Sequence, residues 1–320
     1  MSNPPPDACR RRLPVSRRAF LGAAASGVGL AVGPVRLSRA DDPDATSITA
    51  LAFDGDALLV ADTVLSRSDD DGASWRRLPA VFGTQTLLAL ASHPGVPGRV
   101  VAGLTAGTVL LSEDGGREWE SRSAGLPREA IDAIAVAADR PDTFYAALRG
   151  DGLRRSEDAG RSWAFVMDRP WIEQTEHDVL ALTSVDLATG MGGIWLYGGT
   201  GVGLTRVPDC FCRWQDVQPA DAMDELLSDG APSPRAPLPA GESIRALVSA
   251  PSAPQTLYAA LDSGVWTSRD AGVVWSRTGA HGAVAVAVHP DDPRHVVAAT
   301  RAGLLRSRDG GRTWAALAAF

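Results

Sequence analysis

An eight-residue pattern that recurs five times, a spacing near forty residues between copies, and four short apolar runs in each interval together predict an all-β fold. The expected architecture is a single β-propeller of six four-stranded blades, with seven blades as the alternative. The pattern is S-x-D-x-G-x-x-W, and its copies are residues 68–75, 112–119, 156–163, 268–275 and 307–314. A sixth, decayed copy at residues 209–214 keeps the Trp and an Asp.

Each part of the pattern has a physical reason. Ser and Asp side chains accept hydrogen bonds from backbone N–H groups a few residues on, which closes a turn locally. The Gly takes a positive φ at which a side chain would clash. The Trp then re-enters an extended strand and gives the hairpin a large apolar anchor. One copy would occur by chance; five at regular spacing do not. The Trp-to-Trp intervals are 44, 44, 51, 61 and 39 residues.

The units follow in order after residue 47. The first has runs at 48–53, 57–61, 64–68 and 75–78. The second starts near residue 87, with runs at 99–104, 109–112 and 119–122. The third starts near 131, with 143–148, 153–156 and 163–167. The fourth starts near 179, with 194–198, 204–207 and 213–217. The fifth starts near 244, with 256–261, 265–268 and 275–277. The sixth starts near 283, with 295–300, 304–307 and 314–320. The first run of each unit is rich in small residues, as in Ala283-Val284-Ala285-Val286-Ala287-Val288, which suits strands crowded round an axis. Their period-2 alternation is blurred because neighbouring blades cover both faces. With an inner strand first and an outer strand last, ring closure is expected to rest on side-chain packing between the first and sixth units.

The repeat resembles the Asp-box, or BNR repeat, of sialidases, xyloglucanases, sortilin-type receptors and the photosystem II stability/assembly factors. The resemblance covers about residues 48–320, and the short, regular units are most similar to the assembly-factor type. It implies that each copy joins the third and fourth strands of a blade, on the face away from the ligand. A structural role therefore passes to Asp70, Asp114, Asp158, Asp270 and Asp309, and to Trp75, Trp119, Trp163, Trp275 and Trp314. No catalytic role passes with it. The sialidase set is not matched: Tyr145, Tyr197 and Tyr258 hold equivalent second-strand positions, as repeat packing requires, and no Arg-Ile-Pro element is present.

The N-terminus carries a different message. Ser16-Arg17-Arg18-Ala19-Phe20-Leu21 matches the twin-arginine export motif, and an apolar, Gly- and Ala-rich stretch runs from residue 21 to 35. Ser38-Arg39-Ala40 then offers a small-x-small cleavage site. Residues 1–40 read as a signal peptide and 41–320 as the propeller. The stretch is too short and Gly-rich for a membrane span, so a periplasmic or secreted protein without a span after cleavage is expected.

Composition narrows the function classes. The chain is 45% hydrophobic with 33 Gly and 22 Pro, which suits a turn-rich β protein, and its basic residues are all Arg. Without residues 1–40 it holds 24 Arg against 37 acidic residues, a formal charge of −13. Such a surface argues against nucleic-acid binding, which needs basic patches. No cofactor or metal set is legible, and a monomer is expected.

Two interruptions fall between fourth and first strands, at residues 168–178 and 218–242. Long connections inside a compact repeat are functional loops or tolerated insertions. Six of the nine Trp end repeats, and Trp195 and Trp266 fall in expected strands; Trp171 alone lies in an interruption. Trp171, Glu173, Glu176 and His177 are therefore the candidate binding residues, on a surface shared with the 218–242 connection. The competing reading makes Trp171 a seal between the third and fourth units and the charges ordinary solvated ones. His93 and His289 sit in matching turns and read as structural. Cys210 and Cys212, in the decayed copy, form a disulfide that replaces the turn or stay as two free thiols. The expected function is a non-catalytic module that binds a protein or glycan through its inter-blade loop face. The alternative is a glycoside hydrolase of sialidase-like or related type, which would need converging carboxylates.

Overall fold

The computed structural model describes residues 48–79, 82–187, 193–218 and 235–320. Six antiparallel four-stranded sheets follow one another along the chain, each in simple meander order. Their first strands, Ala50–Asp54, Leu87–Ser92, Ile131–Val136, Ala181–Asp186, Ala246–Ala250 and Ala283–Val288, contact one another in that cyclic order. The fold is a six-bladed β-propeller. No helix among the described residues is long and apolar enough to cross a membrane. The twin-arginine stretch lies outside them.

The core is divided by seam rather than by blade. Each of six apolar clusters is made from two neighbouring blades, and each contains the repeat Trp of the later blade. Trp163, for example, packs with Val101, Leu111 and Phe144 of the second and third blades. Four of these indoles also donate Nε1–H to a carbonyl at the end of the preceding blade: Trp75 to Ala318 (3.2 Å), Trp163 to Arg122 (2.7 Å), Trp214 to Asp168 (2.7 Å) and Trp314 to Thr278 (3.2 Å). Trp119 and Trp275 instead donate to Gly116 and Gly272 of their own turns.

The five complete repeats share a Ser–Asp bond and a Gly N–Ser bond, and three of them add a hydroxyl bond to the Asp. In the sixth blade, Ser307 Oγ donates to Asp309 Oδ1 (2.8 Å) and accepts from Gly311 N (2.8 Å). Asp309 then accepts from Thr313 N (2.9 Å) and Thr313 Oγ1 (2.7 Å). These donors hold the Asp309 carboxyl at about 2, well below its ordinary 3.8, and Asp70 and Asp158 respond alike to Ser74 and Ser162. Sequence reasoning assigned positive φ to one Gly per turn. The backbone uses two consecutive positions, and the first is Asp71 (59°), Gly115, Ala159 (55°), Ala271 (57°) or Gly310.

Polar ties between consecutive blades complete the ring. Asp54 accepts from Gly98 N (2.6 Å), and Arg99 reaches Asp142 (2.5 Å). The buried Tyr145, Tyr197 and Tyr258 each hand a hydroxyl to the next blade, at Asp209 (2.6 Å), the Ala271 carbonyl (2.9 Å) and the Pro293 carbonyl (2.7 Å). Among the described residues the closing seam shares no strand, and side chains span it, as its side-chain reading anticipated. Asp71 of the first blade receives Arg306 and Arg308 of the sixth, and its other oxygen faces His295 Nε2 at 2.9 Å, out of hydrogen-bond alignment. His295 stacks on His289 (5.2 Å), and the Phe53 edge packs on both.

Candidate functional site

The interruption at 168–178, expected as a loop, is a β-hairpin. Trp171–Ile172 pairs with Thr175–Glu176, and Glu173 and Gln174 form a two-residue turn with φ of 49° and 67°. Two consecutive positive φ values mark a type I′ turn, whose twist matches the strands it joins. That turn favours Asn and Gly, and Glu-Gln gives no such signal, which is why the hairpin was not legible. Its base is fastened. Arg169 pairs with Glu176 and lies 3.4 Å from Asp178, which accepts Gly150 N at 2.8 Å. His177 N donates to the Pro170 carbonyl (3.0 Å), and its ring Nε2 meets the Ile172 carbonyl (3.2 Å).

The four candidate residues thus share one hairpin but have different surroundings. Glu176 is engaged by Arg169 and His177 by its own backbone. Glu173 is exposed at the tip. Trp171 is 69% exposed, so it does not seal the groove between the third and fourth blades. Sequence reasoning missed Phe165, which is 46% exposed on the outer strand of the third blade with the Arg154 guanidinium 5.3 Å from its ring centre. Its strand pattern looked ordinary; only three-dimensional placement leaves it uncovered.

The second interruption departs from expectation. Its residues 219–234, with the surface they would share with Trp171, lie outside the described residues. Residue 236 lies at the repeat turn of blade five, away from the loop face, to which the segment returns by Ile244, whose N donates to the Thr200 carbonyl (3.0 Å). Ala236 forms a parallel bridge with Val274, its carbonyl accepts Trp275 N (2.7 Å), and Leu238 packs into the seam between blades four and five. The connection therefore reaches the repeat turn of blade five. The cause is readable in that turn: it carries Val273-Val274 where the others carry Ala-Ser, Arg-Glu, Arg-Ser or Arg-Thr. The added segment covers this apolar pair and leaves Trp275 4% exposed.

Two cavities lie on the axis. One of about 70 Å³ sits at the loop end, among Thr49, Asp132 and Arg245. A larger one of about 300 Å³ opens at the repeat-turn end, lined by Phe53, His93, Ser184, Asp186, Ser249 and Pro290 among others. The roomier mouth is thus opposite the face where the sequence placed the site. Its polar wall is largely self-satisfied. Ser249 Oγ donates to the Ser184 carbonyl (3.2 Å), and Ser184 Oγ accepts Ala138 N (3.0 Å). His93 accepts Gly95 N at Nδ1 (3.0 Å), as His289 accepts Asp291 N (3.2 Å), so the two histidines do the same structural job. Asp186 is the one carboxylate among the described lining residues. Among the described residues no three metal-ligating side chains group together.

In the decayed turn, Cys210 and Cys212 are joined as a disulfide with α-carbons 5.5 Å apart. A strand would hold i and i+2 farther apart; Phe211, at φ 52°, folds them together. Asp209 is held from blade three, by the Tyr145 hydroxyl, by Arg140 and at 3.8 Å by Arg155.

No protein-family model and no curated protein matches the chain. Among solved structures, the GH74 xyloglucanase from Xanthomonas campestris is similar over 85% of this chain and 46% of its own, at 21% identity and a TM-score of 0.50. The Niastella koreensis GH74 enzyme is similar over 84% of this chain and 46% of its own, at 14% identity and a TM-score of 0.52. YCF48 bound to D1 peptide is similar over 85% of this chain and 82% of its own, at 16% identity and a TM-score of 0.47. This chain spans about half the length of the two enzymes, at 46% of each. At these identities the likeness to the enzymes shows the propeller fold alone.

Proposed function

We propose that the chain is an exported, monomeric, non-catalytic propeller that binds a protein or glycan partner through its loop face, with Trp171 as the anchor. One observation carries the reading: a Trp 69% exposed on a hairpin whose base is fastened by Arg169, Asp178 and His177. An indole presented this way offers a large contact area at little ordering cost, the usual character of a binding hot spot. Phe165, on the outer strand of blade three that leads into the hairpin, is a second exposed apolar ring. The five repeat turns, read as Asp-boxes, are scaffold, and the twin-arginine leader accounts for export to the periplasm or beyond.

The glycoside hydrolase alternative needs two carboxylates facing across a cleft. The larger axial cavity offers Asp186 and the smaller one Asp132, one carboxylate each among their described linings, so that reading gains no support there. The test is quantitative capture from periplasmic extract, and on a glycan array, by the wild-type protein and Trp171→Ala. The expected outcome is a loss of about tenfold or more in capture with an unchanged melting transition. Undiminished capture of the same partners by the variant would remove Trp171 from the binding surface.

A further inference from the structure

Five of the six repeat turns are closed by Ser and Asp side chains, and blade four alone closes its turn with a covalent bond between two solvent-exposed residues, Cys210 and Cys212. Three observations separate this bond from a structural staple. The loop it closes holds the single residue Phe211, and the stabilisation a disulfide lends falls with loop length, so its contribution is at the low end. The N-terminal flank is fixed without it: Asp209 N donates to the Ile194 carbonyl (3.0 Å), and the Asp209 carboxylate is held by Tyr145 and Arg140. The C-terminal flank is fixed as well, by Trp214 Nε1–H on the Asp168 carbonyl (2.7 Å), and the Phe211 ring rests against Tyr145 (6.0 Å) and Arg155 (5.4 Å). A buried staple resists attack because no thiolate reaches it; this bond lies open on a turn whose two ends are anchored independently.

We propose that Cys210–Cys212 is a thiol–disulfide exchange site that takes two electrons from a dithiol partner. A thiolate of the dithiol attacks one exposed sulfur; the Cys210–Cys212 bond breaks, and the other sulfur leaves as a thiolate and takes a proton. The second thiol of the partner loses its proton and attacks the mixed disulfide, which releases the first cysteine, protonated in turn. The protein gains a dithiol, and the partner leaves as a disulfide. The reverse sequence reoxidises the site at the expense of a second disulfide. Exchange is independent of the Trp171 surface.

The experiment uses the full-length chain carrying Cys9→Ala, so that two sulfurs report. The protein is equilibrated in mixtures of reduced and oxidised dithiothreitol without denaturant, quenched with iodoacetamide and weighed intact. The expected result is a reversible gain of two adducts together, with the melting transition moved by no more than about 2 °C, about the shift that 1 kcal/mol gives in a chain of this size. Cys212→Ala in the same background should form a one-to-one mixed disulfide with oxidised glutathione. Reduction only at denaturant concentrations that unfold the ring would overturn the proposal. So would a collapse of the melting transition on reduction, or a single-cysteine variant that takes up no glutathione.

Discussion

The repeat turns of the sixth and fourth blades do one task with different chemistry. In the sixth, a hydroxyl and a carboxylate close the turn from within, and Tyr258 of the fifth blade touches the neighbouring Pro293 carbonyl. In the fourth, the internal set is gone, the disulfide closes the loop, and Tyr145 of the third blade bonds the Asp209 side chain directly. What the two share is the indole. Trp314 and Trp214 both enter the apolar cluster of the preceding seam and both donate to that blade's last carbonyls. The difference shows that a Trp is placed in a seam by either kind of turn, and that the turn's own hydrogen bonds are one of two ways to do so in this chain.

The comparison can be broken at the indoles first. Trp314→Ala and Trp214→Ala should each cost about 3–5 kcal/mol, read from denaturant unfolding, a large share of the stability of a typical domain. A cost for Trp214→Ala several times smaller would mean that the decayed copy no longer carries its seam. The turns come next. Ser307→Ala removes a buried hydroxyl and leaves Gly311 N without a partner, for about 1–3 kcal/mol. Tyr145→Phe withdraws the donor from Asp209 and should fall in the same range. Equal costs would place the two devices on a par.

The smallest effect sharpens the contrast through acid. Asp309 titrates near 2 in the folded chain and near 3.8 when unconstrained. A depressed folded value means that the unfolded state binds the proton first. The turn's contribution is therefore fully present above about pH 4 and drains away as pH falls toward 2. Asp309→Asn should flatten the fall in unfolding free energy across that window without moving the neutral-pH slope. An unchanged acid slope in the variant would show that Asp309 does not contribute to it.

The blades and turns were legible because they rest on local chemistry. Ser, Asp, Gly and Trp at fixed offsets describe a hydrogen-bonded turn, and five copies with a decayed sixth describe a ring. What escaped depended on distant partners or on backbone angles that side chains do not announce. Glu173 and Gln174 adopt positive φ without a Gly between them. Asp71 looked like a variable position within its repeat, yet it is the residue that meets the sixth blade. Val273-Val274 occupies two positions that the repeat pattern leaves open, and it is where Ala236 and Leu238 land. The larger axial cavity follows from how six inner strands converge, which no single strand reveals.

Asp71 has a mechanical consequence. Five seams separate blades that remain tethered by peptide, so drawing any of those pairs apart must stretch a connection. Between the sixth blade and the first there is nothing to stretch. A ring of nearest-neighbour couplings opens where a gap costs least, and each further blade then unzips from an exposed end. Three cationic or imidazole groups gathered on one carboxylate, beside the stacked histidines and Phe53, act as a clasp at that place. The clasp adds a polar fastening to the apolar cluster and the Trp75–Ala318 hydrogen bond that already span this seam.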